Sequence, residues 1–287
     1  MNLILWHTDY EKLGKNLKEN RVDNKRDVIV HAHIFKNAGT TIDWVLERNF
    51  GSDFSDNRED QRMIKEADYL SEVLHLSPNL RAISSHSMPL PIRAIENINL
   101  HTLVMFRHPL LRVKSVYEFE KKQNAQTLGA INAKNKSFRE YVEWRMKPEV
   151  PPTIRNMHVR YLTRNSLPAA REELSEQYLV KACDFADSNE LLGLVERFDD
   201  SILIFSSYFN SHNISLDFAY EKQNVNSNTN SSAEERLIDI QAQLGSGVYH
   251  DLLSQNKLDL ELYDYVERLF ERRLEQAIGN GQSCSRF

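Results

Sequence analysis

Cysteine is nearly absent: Cys183 and Cys284 are the two in 287 residues. A pair so far apart makes no disulfide scaffold and lacks the close spacing of a zinc site, so they read as one small core residue and one free thiol in the tail. Glycine is scarce, with nine in the chain, which suits a helix-rich protein with few tight turns. Long apolar runs are missing; the run Leu3–Trp6 near the start gives way to charged residues and is too short for a signal peptide or a membrane span. Positive charge is not in surplus either. The 36 Lys and Arg against 41 Asp and Glu, net −5, argue against a general nucleic-acid binder and confine any polyanion to a local patch. No Pro/Gly/Ser-rich linker divides the chain and no internal repeat is visible, so a single domain over residues 1–287 is expected, long enough to bury a substantial core. No carboxylates cluster at metal-site spacing, and no metal is expected. The nucleotide triphosphatase motif G-x-x-x-x-G-K-[ST] does not occur.

What the chain does have is Val28-Ile29-Val30-His31-Ala32-His33-Ile34-Phe35-Lys36-Asn37-Ala38-Gly39-Thr40-Thr41. It reads as a buried strand, a tight loop and a helix start. A helix beginning near Gly39 turns unpaired backbone N–H groups and the positive end of its dipole outward, which is how a phosphate or sulfate is held. Gly39 lets the backbone come close to such a ligand, and Lys36 adds a mobile cation. The lysine precedes the loop's glycine by three positions, the reverse of the triphosphatase order. A second anion site follows the apolar strand Leu103–Phe106, in Arg107-His108-Pro109-Leu110-Leu111-Arg112-Val113-Lys114-Ser115-Val116-Tyr117. Pro109 suits the first turn of a helix. Arg107 can fork onto phosphate oxygens, and the Ser115 hydroxyl adds a shorter-range donor.

Residues 33–41 resemble the 5′-phosphosulfate loop of the carbohydrate-type sulfotransferases, the family that includes heparan sulfate 2-O-sulfotransferase and many bacterial homologues. Residues 107–117 resemble that family's 3′-phosphate motif. The family often has aspartate after the arginine, and His108 departs from that. Weaker blocks at 156–162, 192–199 and 258–263 resemble the family in the same order, so the likeness spans roughly residues 27–278. The resemblance implies an α/β, P-loop-like sulfotransferase fold, with a central parallel sheet flanked by helices and a helix-rich C-terminal half. It implies 3′-phosphoadenosine 5′-phosphosulfate (PAPS) as donor, held by Lys36, Asn37, Ala38, Gly39, Thr40, Thr41, Arg107 and Ser115, and a hydroxyl acceptor on a glycan or small molecule. Many animal members carry a luminal anchor and this sequence shows none, so a cytoplasmic, bacterial protein is the expectation.

Sulfuryl transfer to a hydroxyl needs a base, and neutral imidazole has the pKa for it. His86, in Arg81-Ala82-Ile83-Ser84-Ser85-His86-Ser87, stands at a strand end and matches the family's catalytic histidine between the two phosphate motifs. With Lys36 stabilising charge on the leaving oxygen, it forms the expected catalytic pair. His31 and His33 alternate with Val30, Ala32 and Ile34 and read as packing or hydrogen-bonding residues, with His33 shaping the loop indirectly. Arg155, Arg160 and Arg164 recur along an expected helix. Arg155 and Arg160 are candidates for binding an acidic substrate or the donor, and a solvated face explains them equally well. Lys121, Lys122, Lys134 and Lys136 read as surface charge.

Short apolar runs predict strands at 28–35, 80–85, 101–106 and 191–196, alternating with helices as a parallel sheet requires. Ile42, Val45, Leu46 and Phe50 fall on one helical face after the loop, with Asp43 and Glu47 on another. Further helices are expected at 137–147 and 156–164, and one capped by Asp199 or Asp200 and running through 210. Residues 222–232 read as a mobile loop, Ser232 with Glu235 as a capping box, and Leu258, Leu262, Tyr265 and Leu269 as an apolar helix face. Ligands of open α/β sheets sit at the carboxyl ends of strands, where Lys36, His86 and Arg107 are expected to meet. Two rival functions are a small-molecule kinase with a variant loop, which the missing G-K-[ST] counts against, and a binding protein that keeps the pocket without turnover. Sulfation of a non-carbohydrate alcohol is the alternative within the family.

Overall fold

Val28, Ile29, Val30 and Ala32 are all buried, as a strand covered on both faces requires. The computed structural model describes residues 25–167, 174–219 and 231–284, with side chains to 279. Its strands are β1 (Arg26–Ala32), β2 (Phe54–Asp56), β3 (Ala82–Ser85), β4 (Ile98–Phe106) and β5 (Leu192–Leu194). All pair in parallel, in the order β2-β3-β1-β4-β5. Val30 lies between Ile83 and Thr102, and Val104 faces Leu192. The chain leaves β1 toward one edge and later crosses to the other, so the crevice at the carboxyl end of β1 is a topological switch point.

Each expected strand is present with altered bounds. β1 stops at Ala32 because the Ile34 N–H turns back to the Ala32 carbonyl and the Asn37 N–H to that of Ile34. β5 lasts three residues and gives way to a 3₁₀ turn at Val195–Arg197. The edge strand β2 is too short to leave a period in the sequence.

The helices among the described residues are α1 (Gly39–Phe50), α2 (Arg62–Lys65), α3 (Tyr69–Leu76), α4 (Pro109–Lys122), α5 (Leu128–Asn135), α6 (Phe138–Arg145), α7 (Met157–Leu162), α8 (Glu176–Ser188), α9 (Phe198–Ser211), α10 (Ala233–Gln255) and α11 (Lys257–Cys284). One apolar cluster joins the sheet to α1, α3, α8, α9 and α11. A second is built by Leu110, Val113, Phe138, Tyr141, Val142, Leu244 and Leu252 of α4, α6 and α10. Leu258, Leu262 and Leu269 are buried along α11 as the spacing predicts, with Tyr265 packed at the margin. Among the described residues no helix is long and apolar enough to cross a membrane.

The Ser232–Glu235 capping box is formed, and α6 has another in Ser137–Glu140. Neither Asp199 nor Asp200 caps α9. The 3₁₀ turn runs straight into that helix, so Arg197 holds the cap position, and both aspartates sit in the first turn, where the helix dipole favours them. The helix expected at 156–164 is confined to Met157–Leu162, leaving Arg155 in the preceding loop and Arg164 in a 3₁₀ turn. Cys183 is half-buried rather than in the core, because α8 buries Tyr178, Ala182 and Ala186 and the cysteine sits one position round the helix. Cys284 lies at the end of α11 with its side chain outside the description. The expected loop at 222–232 lies outside the described residues except for Ser231 and Ser232.

Candidate active site

The loop from β1 to α1 is held in an unusual shape by its surroundings. Lys36 (φ 69°) and Ala38 (φ 58°) are both left-handed without being glycine, and Ala38 is the residue before α1. Left-handed residues of this kind turn successive N–H groups to one side, making an anion-binding concavity. The first-turn N–H groups of Gly39 and Thr40 have no preceding helical turn to bond to and add to it. Neighbouring chain fixes the loop from behind. The buried Arg112 donates from Nε to the Phe35 carbonyl (3.1 Å), and Arg107 donates to that of Lys36 (3.1 Å). Asn37 is buried, and its amide donates to the Met105 carbonyl (2.7 Å) and to His158 Nε2 (2.9 Å). Its side chain therefore pins the loop to β4 and α7.

Gly39 has a packing role beyond the expected one. Its φ is not positive, and a Cβ there would fall 2.1 Å from His33 Cδ2 and Nε2. The group that approaches its backbone is the His33 imidazole, so glycine makes room for a neighbouring ring.

Lys36 reaches over the Phe119 ring of α4, with Nζ 4.5 Å from the centroid. Burial lowers its pKa to about 8, with nearby Arg107 adding repulsion and Glu118 opposing it. Arg107 follows β4 directly and is mostly buried. Its Nε stands 3.8 Å from Glu196 Oε1, and neither atom has a hydrogen-bond partner among the described residues. Glu196 Oε2 accepts from the His108 N–H (3.2 Å) and from the Tyr263 hydroxyl (3.1 Å). His108 caps α4: its Nδ1 accepts from the Leu110 N–H at 3.3 Å, with Pro109 in the first turn. Burial lowers the His108 pKa to about 4, which keeps that lone pair free to accept. An imidazole thus does here what a capping aspartate does elsewhere. Ser115 lies on the inner face of α4, 7% exposed.

His86 follows β3 directly. Its Nδ1 is 2.7 Å from the His33 carbonyl oxygen, which can only accept, so Nδ1 carries the proton and Nε2 the lone pair. The His33 ring lies 4.2 Å from it and the Phe35 ring 5.9 Å. Burial, with repulsion from His33, lowers its pKa to about 4. Its backbone is tied on both sides: the N–H donates to the Arg58 carbonyl (3.2 Å) and the carbonyl accepts from Arg164 (3.0 Å). Beneath it, the buried Asp43 accepts from His31 Nδ1 (2.6 Å), His33 Nδ1 (2.8 Å) and Arg58 (3.1 Å). Burial pushes this carboxyl up, and the two histidine contacts outweigh that and hold it well below the usual carboxylate range. His31, His33 and Asp43 are also the one group among the described residues close enough to share a metal ion. Their ligating atoms are already spent on one another, and Arg58 supplies a competing cation.

A profile of the sulfotransferase family matches residues 20–266. The chain belongs to the sulfotransferase family. An uncharacterized protein of Archaeoglobus fulgidus is 28% identical to it over 254 residues, covering 86% of this chain and 98% of that relative. Family membership makes the protein a transferase, moving a sulfuryl group to an acceptor.

In this sulfotransferase the three weaker sequence blocks prove to be the layer behind the rim. Asp259 accepts from the His158 and Val159 N–H groups (both 2.9 Å) and so caps α7 from across the fold. Asn156 accepts from the Asp259 N–H (3.0 Å). His158 links this cap to Asn37, and Glu196 with Tyr263 links the other two blocks to Arg107 and His108. Arg155 and Arg160 are not brought together with Lys36, His86, Arg107 or Ser115. They line a separate cavity of about 730 Å³ with Lys257, and Arg155 donates to the Val150 carbonyl. Lys121, Lys122 and Lys134 are exposed and Lys136 half-buried. Asp43, Arg112, Glu196 and Asp259 carried no functional signal of their own in the sequence. The two that fall inside the weaker blocks, Glu196 and Asp259, were within reach of the family likeness alone.

Proposed function

We propose that this sulfotransferase moves the sulfuryl group of PAPS to an acceptor hydroxyl, with His86 as the base. The observation that carries the reading is the His86 Nε2 lone pair on the strand-end rim that also bears Lys36 and Arg107. The residues fit the donor. The left-handed loop and the first turn of α1, through Ala38, Gly39, Thr40 and Thr41, suit the 5′-phosphosulfate. Arg107, with a buried Nε that has no hydrogen-bond partner among the described residues, suits the 3′-phosphate beside Ser115. When bound, the donor supplies the sulfuryl group and a phosphate oxygen as leaving group.

His86 accepts the acceptor hydroxyl's proton at Nε2 while Nδ1–H stays on the His33 carbonyl. Lys36 holds its ammonium at the loop, where negative charge grows on the leaving oxygen, so its contribution is larger in the transition state than in the ground state. Asn37 keeps the loop in place from below. These cationic side chains supply the charge the reaction needs, and the proposal requires no metal. Residues 27–278 act as one domain in this reading, since the rim and its support run from Phe35 to Tyr263. A carbohydrate is the proposed acceptor on the strength of the family resemblance. A lipid or small alcohol is the other class, and a screen with radiolabelled donor against glycans, lipids and small alcohols separates them.

Calorimetry tests the donor assignment. The protein should bind 3′-phosphoadenosine 5′-phosphate more tightly than adenosine 5′-phosphate by about 1.5–3 kcal/mol, the worth of a charge-assisted contact. Arg107→Ala should erase the difference. Equal affinities in the unaltered protein would overturn the assignment.

A further inference from the structure

We infer that Asp43, acting through His33, is a positioning residue that sets which nitrogen of His86 faces the acceptor. The inference rests on the reading of His86 as the base. Asp43 projects from the second turn of α1 and is 4% exposed. A carboxylate in such a place is costly unless every oxygen is engaged. Here Oδ1 takes His31 Nδ1–H, and Oδ2 takes His33 Nδ1–H and Arg58. An acceptor-only carboxylate permits both histidines a single arrangement, each with its proton on Nδ1.

His33 passes that constraint on in three directions. Its ring is lodged against Gly39, in the space a Cβ would occupy, and so against the first turn of α1. The same ring stands 4.2 Å from that of His86 and walls one side of it. Its backbone bridges the strands: the N–H donates to the Ser85 carbonyl (3.1 Å), and its own carbonyl receives His86 Nδ1–H. Loop, strand end and base thus meet at one residue whose side chain Asp43 fixes. Carboxylates orient histidines through the second ring nitrogen in many sites, and here the orientation travels one residue further.

Asp43→Asn is a sharp perturbation, because the amide has one oxygen to accept with and must donate on its other side. One of His31 and His33 then needs a bare Nδ1. The charged and titratable groups facing the two rings are His31, Asp43 and Arg58 around His33, and His33, Arg58 and Glu59 around His86.

The test uses the full chain with ¹⁵N-labelled histidine and long-range ¹H–¹⁵N NMR. His86 in the unaltered protein should show a single Nδ1–H tautomer. In Asp43→Asn it should show a mixture, with kcat lowered about 10–100-fold and affinity for 3′-phosphoadenosine 5′-phosphate within about twofold. A merely structural role would lower the melting temperature and leave the tautomer alone, which would overturn the inference. An Nε2–H tautomer of His86 in the unaltered protein would overturn it without any variant, even if Asp43→Asn fails to fold. Absence of sulfuryl transfer by the unaltered protein would count against the proposed reaction, and the tautomer would still decide the positioning claim.

Discussion

Lys36 and His86 have opposite protonation requirements, and burial lowers the pKa of both. The proposed base must be neutral, so it works above about 4; the proposed cation must be charged, so it works below about 8. The sequence alone predicts a rate rising through the ordinary histidine value of about 6.5. The structure moves that limb down by burial and His33, and adds an alkaline limb from the desolvated ammonium. A kcat–pH profile should therefore be flat through neutrality, falling on acidification toward pH 4 and on alkalinisation past pH 8. A single acid limb at the ordinary histidine value would contradict this. The placement of Lys36, His86 and Arg107 at strand ends was visible in the sequence because each follows a short apolar run. Their protonation was not, because burial depends on Phe119, Phe35 and His33 arriving from other parts of the chain.

At the scale of elements, β1, β3 and β4 announced themselves as β-branched and apolar runs, and Pro109 and Ser232 marked helix starts correctly. Asp43 shows where such reading fails. Hydropathy assigns a charged residue to the solvent side of a helix, whereas its burial is decided by His31 of the neighbouring strand and His33 just past that strand's end. Gly39 shows the same limit, since a glycine in a loop suggests close approach of a ligand and says nothing of the His33 ring that fills the space a Cβ would take. Position 108, an unexplained departure in the sequence, becomes the cap of α4. His108→Ala should therefore cost about 1 kcal/mol in denaturant unfolding, and His108→Asn, which can still accept from the Leu110 N–H, should recover most of it. Equal losses in the two variants would show that the cap is not what the imidazole supplies.

Across the whole molecule, the blocks at 156–162, 192–199 and 258–263 are far apart in sequence and converge behind one rim. Asp259 of α11 caps α7, His158 of α7 supports Asn37, and Glu196 faces Arg107 while accepting from His108 and Tyr263. Their order along the chain was legible. Their convergence was not, because it depends on α11 returning across the sheet to dock its first turn on α7. Arg155 and Arg160 mark the opposite case: a charge pattern that left a substrate contact and a solvated face equally open, and that the fold sets along a cavity with Lys257.

The central claim is that His86 takes the acceptor's proton during transfer from PAPS, and single-turnover transfer of radiolabelled sulfuryl by the full chain tests it most directly. His86→Ala should lower that rate by about 10²–10⁴-fold while its affinity for 3′-phosphoadenosine 5′-phosphate stays within about twofold. A near-normal rate in His86→Ala would contradict it.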